Sequence, residues 1–176
     1  MDGGNAGSPD SEGRLEPRPP NQGDLEILCR RLNELGAKYV VVGGFAIIAS
    51  GLPRTTGDID FLIETSLANE ALVFKALELL QDQAVKELDP GDVAKFQVVR
   101  VIDEVIVDLM EAACGIGYEE ASKDVVFRVI GGVRIPFVSP RMLWRMKAPT
   151  RREKDAGDLY FLREYFRSHG EQPPPI

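Results

Sequence analysis

Val41-Val42-Gly43-Gly44-Phe45-Ala46, followed by Arg54-Thr55-Thr56-Gly57-Asp58-Ile59-Asp60-Phe61-Leu62-Ile63, decides how this chain is read. An apolar strand runs into paired glycines and a short helical turn, and the next strand opens with carboxylates at i and i+2. Strand side chains alternate, so Asp58 and Asp60 share one face while Ile59, Phe61 and Ile63 share the other. Aspartate is depleted in strands, and two like charges on one face repel. A cation relieves that repulsion. Hard divalent ions prefer oxygen ligands, and Mg²⁺ usually takes one or two carboxylates plus substrate phosphates. The glycines permit a tight bend whose backbone N–H groups at a helix N-terminus can face a phosphate. Taken singly, a Gly-Gly turn is usually only a turn, and an Asp-x-Asp only a solvated strand end. In this order, on adjacent elements, they point to nucleotide chemistry.

A third carboxylate fits the same pattern. Ala94 to Ile102 and Glu104 to Met110 read as two strands of a β-hairpin turning at Asp103-Glu104. Val105, Val107 and Leu109 then share one face and Asp108 lies on the other, in an otherwise apolar run. A lone Asp in mid-strand is unfavourable unless something binds it. Asp58, Asp60 and Asp108 together would suit a two-metal site, whose ions about 3.5–4 Å apart clamp attacking and leaving oxygens.

With these residues the chain resembles the DNA polymerase β-like nucleotidyltransferase superfamily. Its signature is a hydrophobic residue, Gly, Gly or Ser, a short helix, and Asp-x-Asp, with a third acid on a later strand. Here these are Val42-Gly43-Gly44, Asp58-Ile59-Asp60 and Asp108. Gly51-Leu52-Pro53-Arg54-Thr55-Thr56-Gly57 resembles the Gly-x-x-Arg-x-Thr-x-Asp spacer of small bacterial members. The similarity is to the abortive-infection type, whose relatives act as toxins in type IV toxin–antitoxin systems. Ser139 to Ala148 resembles that group's helix with a functional lysine, here Lys147, and Arg152 to Tyr160 its closing Lys-Asp-x-x-Asp-Leu helix, here Lys154, Asp155 and Asp158. The resemblance spans roughly Leu25 to Phe166. Position 44 is Gly where many members have Ser, and Phe45-Ala46-Ile47 replaces the Arg-Asp continuation of tRNA CCA-adding enzymes, which disfavours CCA addition.

The resemblance implies an α/β (α+β) nucleotidyltransferase fold: a mixed sheet flanked by helices, with further helices at the C-terminus. It also implies an enzyme that transfers a nucleoside monophosphate from a nucleoside triphosphate and releases pyrophosphate. The catalytic and metal-binding residues would be Asp58, Asp60 and Asp108, with two Mg²⁺ ions or, as an alternative, Mn²⁺. Gly43, Gly44, Arg54, Thr56, Lys147, Lys154, Asp155 and Asp158 would attend the nucleotide. The acceptor could be tRNA or another RNA end, a protein hydroxyl or a small molecule, and a cognate antitoxin-type protein is a candidate partner. The rival reading is a non-catalytic nucleotide- or partner-binding module that keeps the fold; three costly carboxylates argue against it. A Ca²⁺-stabilised structural domain is weaker still, since no loop with alternating oxygen ligands is present.

Composition sets bounds. The chain has 176 residues, enough for one domain with a real core. Hydrophobic content of 44% and charged content of 28% are those of an ordinary globular protein. No apolar run approaches the roughly 18–20 residues of a membrane span. Met1-Asp2-Gly3-Gly4-Asn5 offers neither the basic nor the apolar part of a secretory signal. Cys29 and Cys114 make no staple framework or zinc pattern, so a cytoplasmic location without membrane partners is expected. A net charge of −7 argues against a broad nucleic-acid surface. Arg141, Arg145, Lys147, Arg151, Arg152 and Lys154 reverse the sign locally, either as a solvated helix face or as a contact for a triphosphate or an RNA end.

Residues 1–22, rich in Gly, Pro and Ser, read as a disordered tail, 23–168 as one domain and 169–176 as a flexible tail. Asp24 is expected to cap a first helix with Leu25, Leu28, Leu32 and Leu35 on one face, stopped by Gly36. Lys38 to Val42 is the first strand, Phe45 to Ser50 a short helix and Asp58 to Ile63 the second strand. A helix follows from Ser66 to about Leu80, and a helical turn over Tyr118 to Lys123. Gly131-Gly132 joins two strands, Val125–Ile130 and Val133–Val138. Ser139-Pro140 starts another helix, and the last runs from about Arg152 to Ser168. Trp144 reads as a core anchor, His169 as a solvated helix-end cation. Tyr160 could be core or a base-stacking ring. Asp155 and Asp158 share a helix face, either as an exposed edge paired with Arg151 and Lys154 or as groups near the active site.

Overall fold

The computed structural model describes Gly13 and residues 16–176. The expected N-terminal tail falls largely outside the described residues. Its last part makes definite contacts: the Arg18 backbone N–H donates to the Glu104 carbonyl, the Arg18 guanidinium pairs with Asp24, and Pro20 is buried.

Helix α1 (Gln22–Glu34) starts at Asn21, not at Asp24. The Asn21 side chain accepts from the N–H groups of Gly23 and Asp24, and the Asp24 carboxylate accepts the Asn21 N–H in return, a reciprocal capping box. Strand β1 (Tyr39–Val42) is buried throughout and passes directly into α2 (Gly43–Ala49). Then come β2 (Ile59–Ile63), with Asp58 immediately before it, and α3 (Leu67–Leu77), capped by Ser66.

The stretch expected as one long strand from Ala94 divides into α4 (Asp92–Phe96) and β3 (Val98–Ile102). The cause is remote in sequence. The fully buried Glu70 carboxylate accepts the N–H groups of Gly91, Val93 and Ala94, which fixes the start of α4, and Gly91 turns the chain at φ +106°.

Strand β4 (Ile106–Met110) is followed by a small hairpin of β5 (Ala112–Ala113) and β6 (Ile116–Gly117), and by the turn of α5 (Tyr118–Ala121). Strands β7 (Val125–Ile130) and β8 (Val133–Val138) flank Gly131-Gly132, both at positive φ as a tight hairpin turn requires. Ser139 caps α6 (Pro140–Lys147), and α7 (Ala156–Ser168) ends the fold.

The six-stranded mixed sheet has the order β3-β4-β2-β1-β8-β7. Strand β1 is antiparallel to β2 and parallel to β8, and β2 is parallel to β4. Helix α1 packs on α3 and β8, while α2 packs on β1, β2 and α6, and α6 on α7. Trp144 is buried edge-to-face against Phe166, and its indole N–H donates to the Pro174 carbonyl at 2.9 Å, which ties down residues near the C-terminus. His169 stacks on Tyr165. Tyr160 is 70% exposed, so it is not a core residue. No helix among the described residues is long and apolar enough to cross a membrane.

Candidate functional site

Sheet register assembles the acids. Val42 pairs with Asp60, Asp60 with Asp108, and Asp108 with Arg100, so one row across β1, β2, β4 and β3 carries two carboxylates and a guanidinium. Paired residues on adjacent strands point to the same face. Asp58, two residues before Asp60, joins them, and one oxygen from each of Asp58, Asp60 and Asp108 lies within 4.8 Å of the others. Ile59 and Phe61, alternating with the acids, are fully buried, which locks the register.

The loop between β1 and α2 faces this row. Gly43 has φ +65°, and a Cβ there would collide with the Asp60 carboxylate. A Cβ on Gly44 would run into the Thr56 side chain and come within 3.3 Å of an Arg54 guanidinium nitrogen. Both positions therefore demand glycine: their backbone packs directly against Asp60, Thr56 and Arg54 while lining one cavity with the acids. Thr56 donates its hydroxyl to the Asp58 carbonyl at 3.2 Å, tethering the spacer to the start of β2.

The opposite wall is an ion-pair network. Lys147, 7% exposed, sits between Asp155 at 2.9 Å and Asp158 at 3.0 Å. Arg54 grips both Asp158 oxygens at 2.9 Å, and Arg152 meets Asp155 at 2.7 Å. Asp155 and Asp158 are thus buried and paired with Lys147, Arg54 and Arg152; the exposed edge facing Arg151 and Lys154 does not exist. Lys147 is largely buried, so its charge needs these partners. Burial would raise the Asp155 carboxyl, but hydrogen bonds and charge from Lys147 and Arg152 outweigh it and hold the group below its usual range. Lys154 is exposed and makes no ion pair among the described residues.

Asp60 behaves oppositely. Burial first, then the neighbouring Asp58 and Asp108 charges, push its carboxyl up to about 7, against the pull of Lys147 and Lys154. Ionised Asp60 is thus disfavoured by burial and by two like charges, a setting in which a hard divalent ion among the three acids would be favourable.

All eleven candidate residues line one cavity of about 590 Å³: Gly43, Gly44, Arg54, Thr56, Asp58, Asp60, Asp108, Lys147, Lys154, Asp155 and Asp158. Val98, Met110, Ala112, Ala113 and Cys114 add an apolar side, and Thr150 and Arg152 complete the basic one. Sequence reasoning missed Arg100. Its Nε donates to Asp108 Oδ1 at 2.8 Å, and its Nη2 reaches Asp108 Oδ2 at 2.7 Å and Asp58 Oδ2 at 3.2 Å. The signal was a register count across the hairpin. A turn at Asp103-Glu104 alone would set Arg100 opposite Val107, whereas the observed connection also includes Val105 and sets it opposite Asp108.

Residues 21–172 match the family model described as "Nucleotidyl transferase of unknown function (DUF2204)". The chain belongs to this nucleotidyl transferase family. No curated protein matches it in sequence. Among solved structures it resembles an antigenic nucleotidyltransferase-like protein from Paracoccidioides brasiliensis, at 18% identity and TM-score 0.50, covering 84% of this chain and 79% of that one. A provisionally assigned nucleotidyltransferase from Thermotoga maritima gives 16% identity and TM-score 0.51 over 82% and 91% of the two chains. The lincosamide antibiotic adenylyltransferase LnuA, solved with lincomycin bound, gives 11% identity and TM-score 0.51 over 82% and 98%. At these identities the likeness is one of fold. The family description stops at nucleotidyl transfer, and the abortive-infection type rests on the sequence resemblance alone.

Proposed function

We propose that this chain is a metal-dependent nucleotidyltransferase, moving a nucleoside monophosphate from a nucleoside triphosphate to an acceptor hydroxyl with release of pyrophosphate. The observation that carries this reading is the row of Asp58, Asp60 and Asp108 facing a loop where Gly43 and Gly44 leave no room for a Cβ. The three carboxylates would hold Mg²⁺ or Mn²⁺, one or two ions, which would polarise phosphoryl oxygens and stabilise negative charge on the attacking and leaving oxygens.

The chain's own part is placement. Gly43 and Gly44 let phosphate oxygens come close to the backbone. Lys154, exposed and without an ion-pair partner among the described residues, is the cation freest to reach the triphosphate. Lys147, expected from the resemblance to do so, is committed to Asp155 and Asp158; its role is to anchor α7 to α6 and set the cavity's basic wall. Charge supports the reading as well. The cavity is lined by five cations (Arg54, Arg100, Lys147, Arg152, Lys154) and five carboxylates (Asp58, Asp60, Asp108, Asp155, Asp158), which formally cancel. Two divalent ions would then be balanced by one fully ionised triphosphate.

The apolar side formed by Val98, Met110, Ala112 and Ala113 is suited to a small molecule carrying the acceptor hydroxyl, and the fold shared with an antibiotic adenylyltransferase supports that class. RNA ends and protein hydroxyls are the other acceptors to test. The experiment is incubation with each α-phosphate-labelled nucleoside triphosphate and Mg²⁺, offered total RNA, cell lysate and a panel of alcohol-bearing antibiotics. A labelled acceptor formed by the native protein and not by Asp58→Asn supports the proposal. Equal labelling by both rejects it, and nucleotide binding without any transfer favours a non-catalytic module.

A further inference from the structure

The one strong cation of the acid row has a geometry that the transfer reaction does not by itself explain. Arg100 reaches over from the edge strand β3, its side chain 53% exposed, and engages two of the three acids. Nε and Nη2 take both oxygens of Asp108, and the same Nη2 extends to Asp58 Oδ2. Nη2 thus bridges the two carboxylates, in the space an ion shared by Asp58 and Asp108 would occupy. A guanidinium stays charged at any ordinary pH, so it cannot make way by losing its proton. Its hydrogen bond to Asp108, and then the Asp108, Asp58 and Asp60 charges, hold it still more firmly protonated against a small cost of burial. Asp60, the third acid, receives no hydrogen bond from it.

We infer that Arg100 is a built-in competitor of the metal: it compensates Asp58 and Asp108 while no divalent ion is bound, and must swing aside into solvent when one binds. This rests on the metal-dependent reading above. Two consequences follow from the contacts. Free metal binds weakly, because it must displace a two-pronged ion pair. Metal arriving with a nucleoside triphosphate binds much better, because the phosphates give the released guanidinium a new anionic partner beside the row. The exposed stem and the edge position of β3 let the side chain move without disturbing the core residues Val99 and Val101 on either side.

The test is titration of Mn²⁺ alone, followed by the electron paramagnetic resonance signal of the free ion, into the native protein, Arg100→Met and Arg100→Lys. Arg100→Met should bind Mn²⁺ at least tenfold more tightly than the native protein, and Arg100→Lys, which keeps charge but loses the fork, should fall between them. Adding a non-hydrolysable nucleoside triphosphate should tighten Mn²⁺ binding more in the native protein than in Arg100→Met. A purely structural Arg100 would lower the melting temperature in EDTA when replaced but leave Mn²⁺ affinity unchanged, and that result overturns the inference. Weaker Mn²⁺ binding by Arg100→Met overturns it too, showing that the guanidinium assists the ion. If no variant binds Mn²⁺ even with nucleotide, the inference falls together with the metal-dependent reading; unchanged affinity among binding-competent variants removes only the inference.

Discussion

Replacing Asp60 by Asn probes the electrostatics of the site while keeping its shape, since the amide is isosteric with the carboxylate. Asp60 makes no ion pair among the described residues, because Arg100 serves Asp58 and Asp108, and Lys147 serves Asp155 and Asp158. Burial and the two neighbouring acids raise its carboxyl from 3.8 to about 7. A gap of roughly 3 units, at about 1.4 kcal/mol each, sets a ceiling of about 4 kcal/mol on the cost of ionising Asp60 in the folded state. The sign follows from proton counting. Between about pH 4 and pH 7 the native state holds a proton that the unfolded chain has lost, so stability falls as pH rises through this window and stays low above it. Asp60→Asn lacks that titration. Its stability advantage over the native protein should therefore widen by about 2–3 kcal/mol between pH 5 and pH 8, measured by urea unfolding in EDTA. All other titrating groups are common to both proteins and cancel to first order. An advantage that stays constant across that range would refute the electrostatic reasoning.

Lys147→Met should destabilise the protein by about 3–5 kcal/mol in thermal or urea melts, because Asp155 and Asp158 would keep their burial and lose their shared ammonium; a loss below about 1 kcal/mol would show that Arg54 and Arg152 suffice. Gly43→Ala combines a positive φ with a clash against Asp60, so it should cost about 1–3 kcal/mol and weaken nucleotide binding measured by calorimetry. Asn21→Ala removes half of a capping box and should cost about 1 kcal/mol with no change in nucleotide affinity; an unchanged unfolding midpoint would contradict it.

Short-range signals in the sequence were enough for much of the fold. Alternation fixed β2 and its two faces, Gly131-Gly132 fixed the β7–β8 turn, and Ser139-Pro140 fixed the start of α6. The failures share a physical cause: each was decided by a residue far along the chain. Glu70 caps α4 from more than twenty positions away, turning an apparent strand into a helix. Asp103, almost wholly buried, accepts the N–H groups of Asp82, Ala84 and Glu104 and draws Val105 into the β3–β4 connection, which shifts the register by one residue. That shift hid Arg100, since a one-residue slip moves a side chain to the other face. In the same way nothing local in Asp158 reveals that Arg54, more than a hundred positions away, closes its network with Lys147. The acids and glycines were legible because their chemistry is unfavourable without a ligand; the groups that compensate them were not, because compensation is set by tertiary contact.

The most direct measurement is anomalous diffraction from crystals grown with Mn²⁺ and a non-hydrolysable nucleoside triphosphate. Anomalous density is expected among the carboxylates of Asp58, Asp60 and Asp108, with phosphate oxygens against the backbone of Gly43 and Gly44. Manganese bound away from all three acids, or a nucleotide seated outside this cavity, would contradict the proposed function.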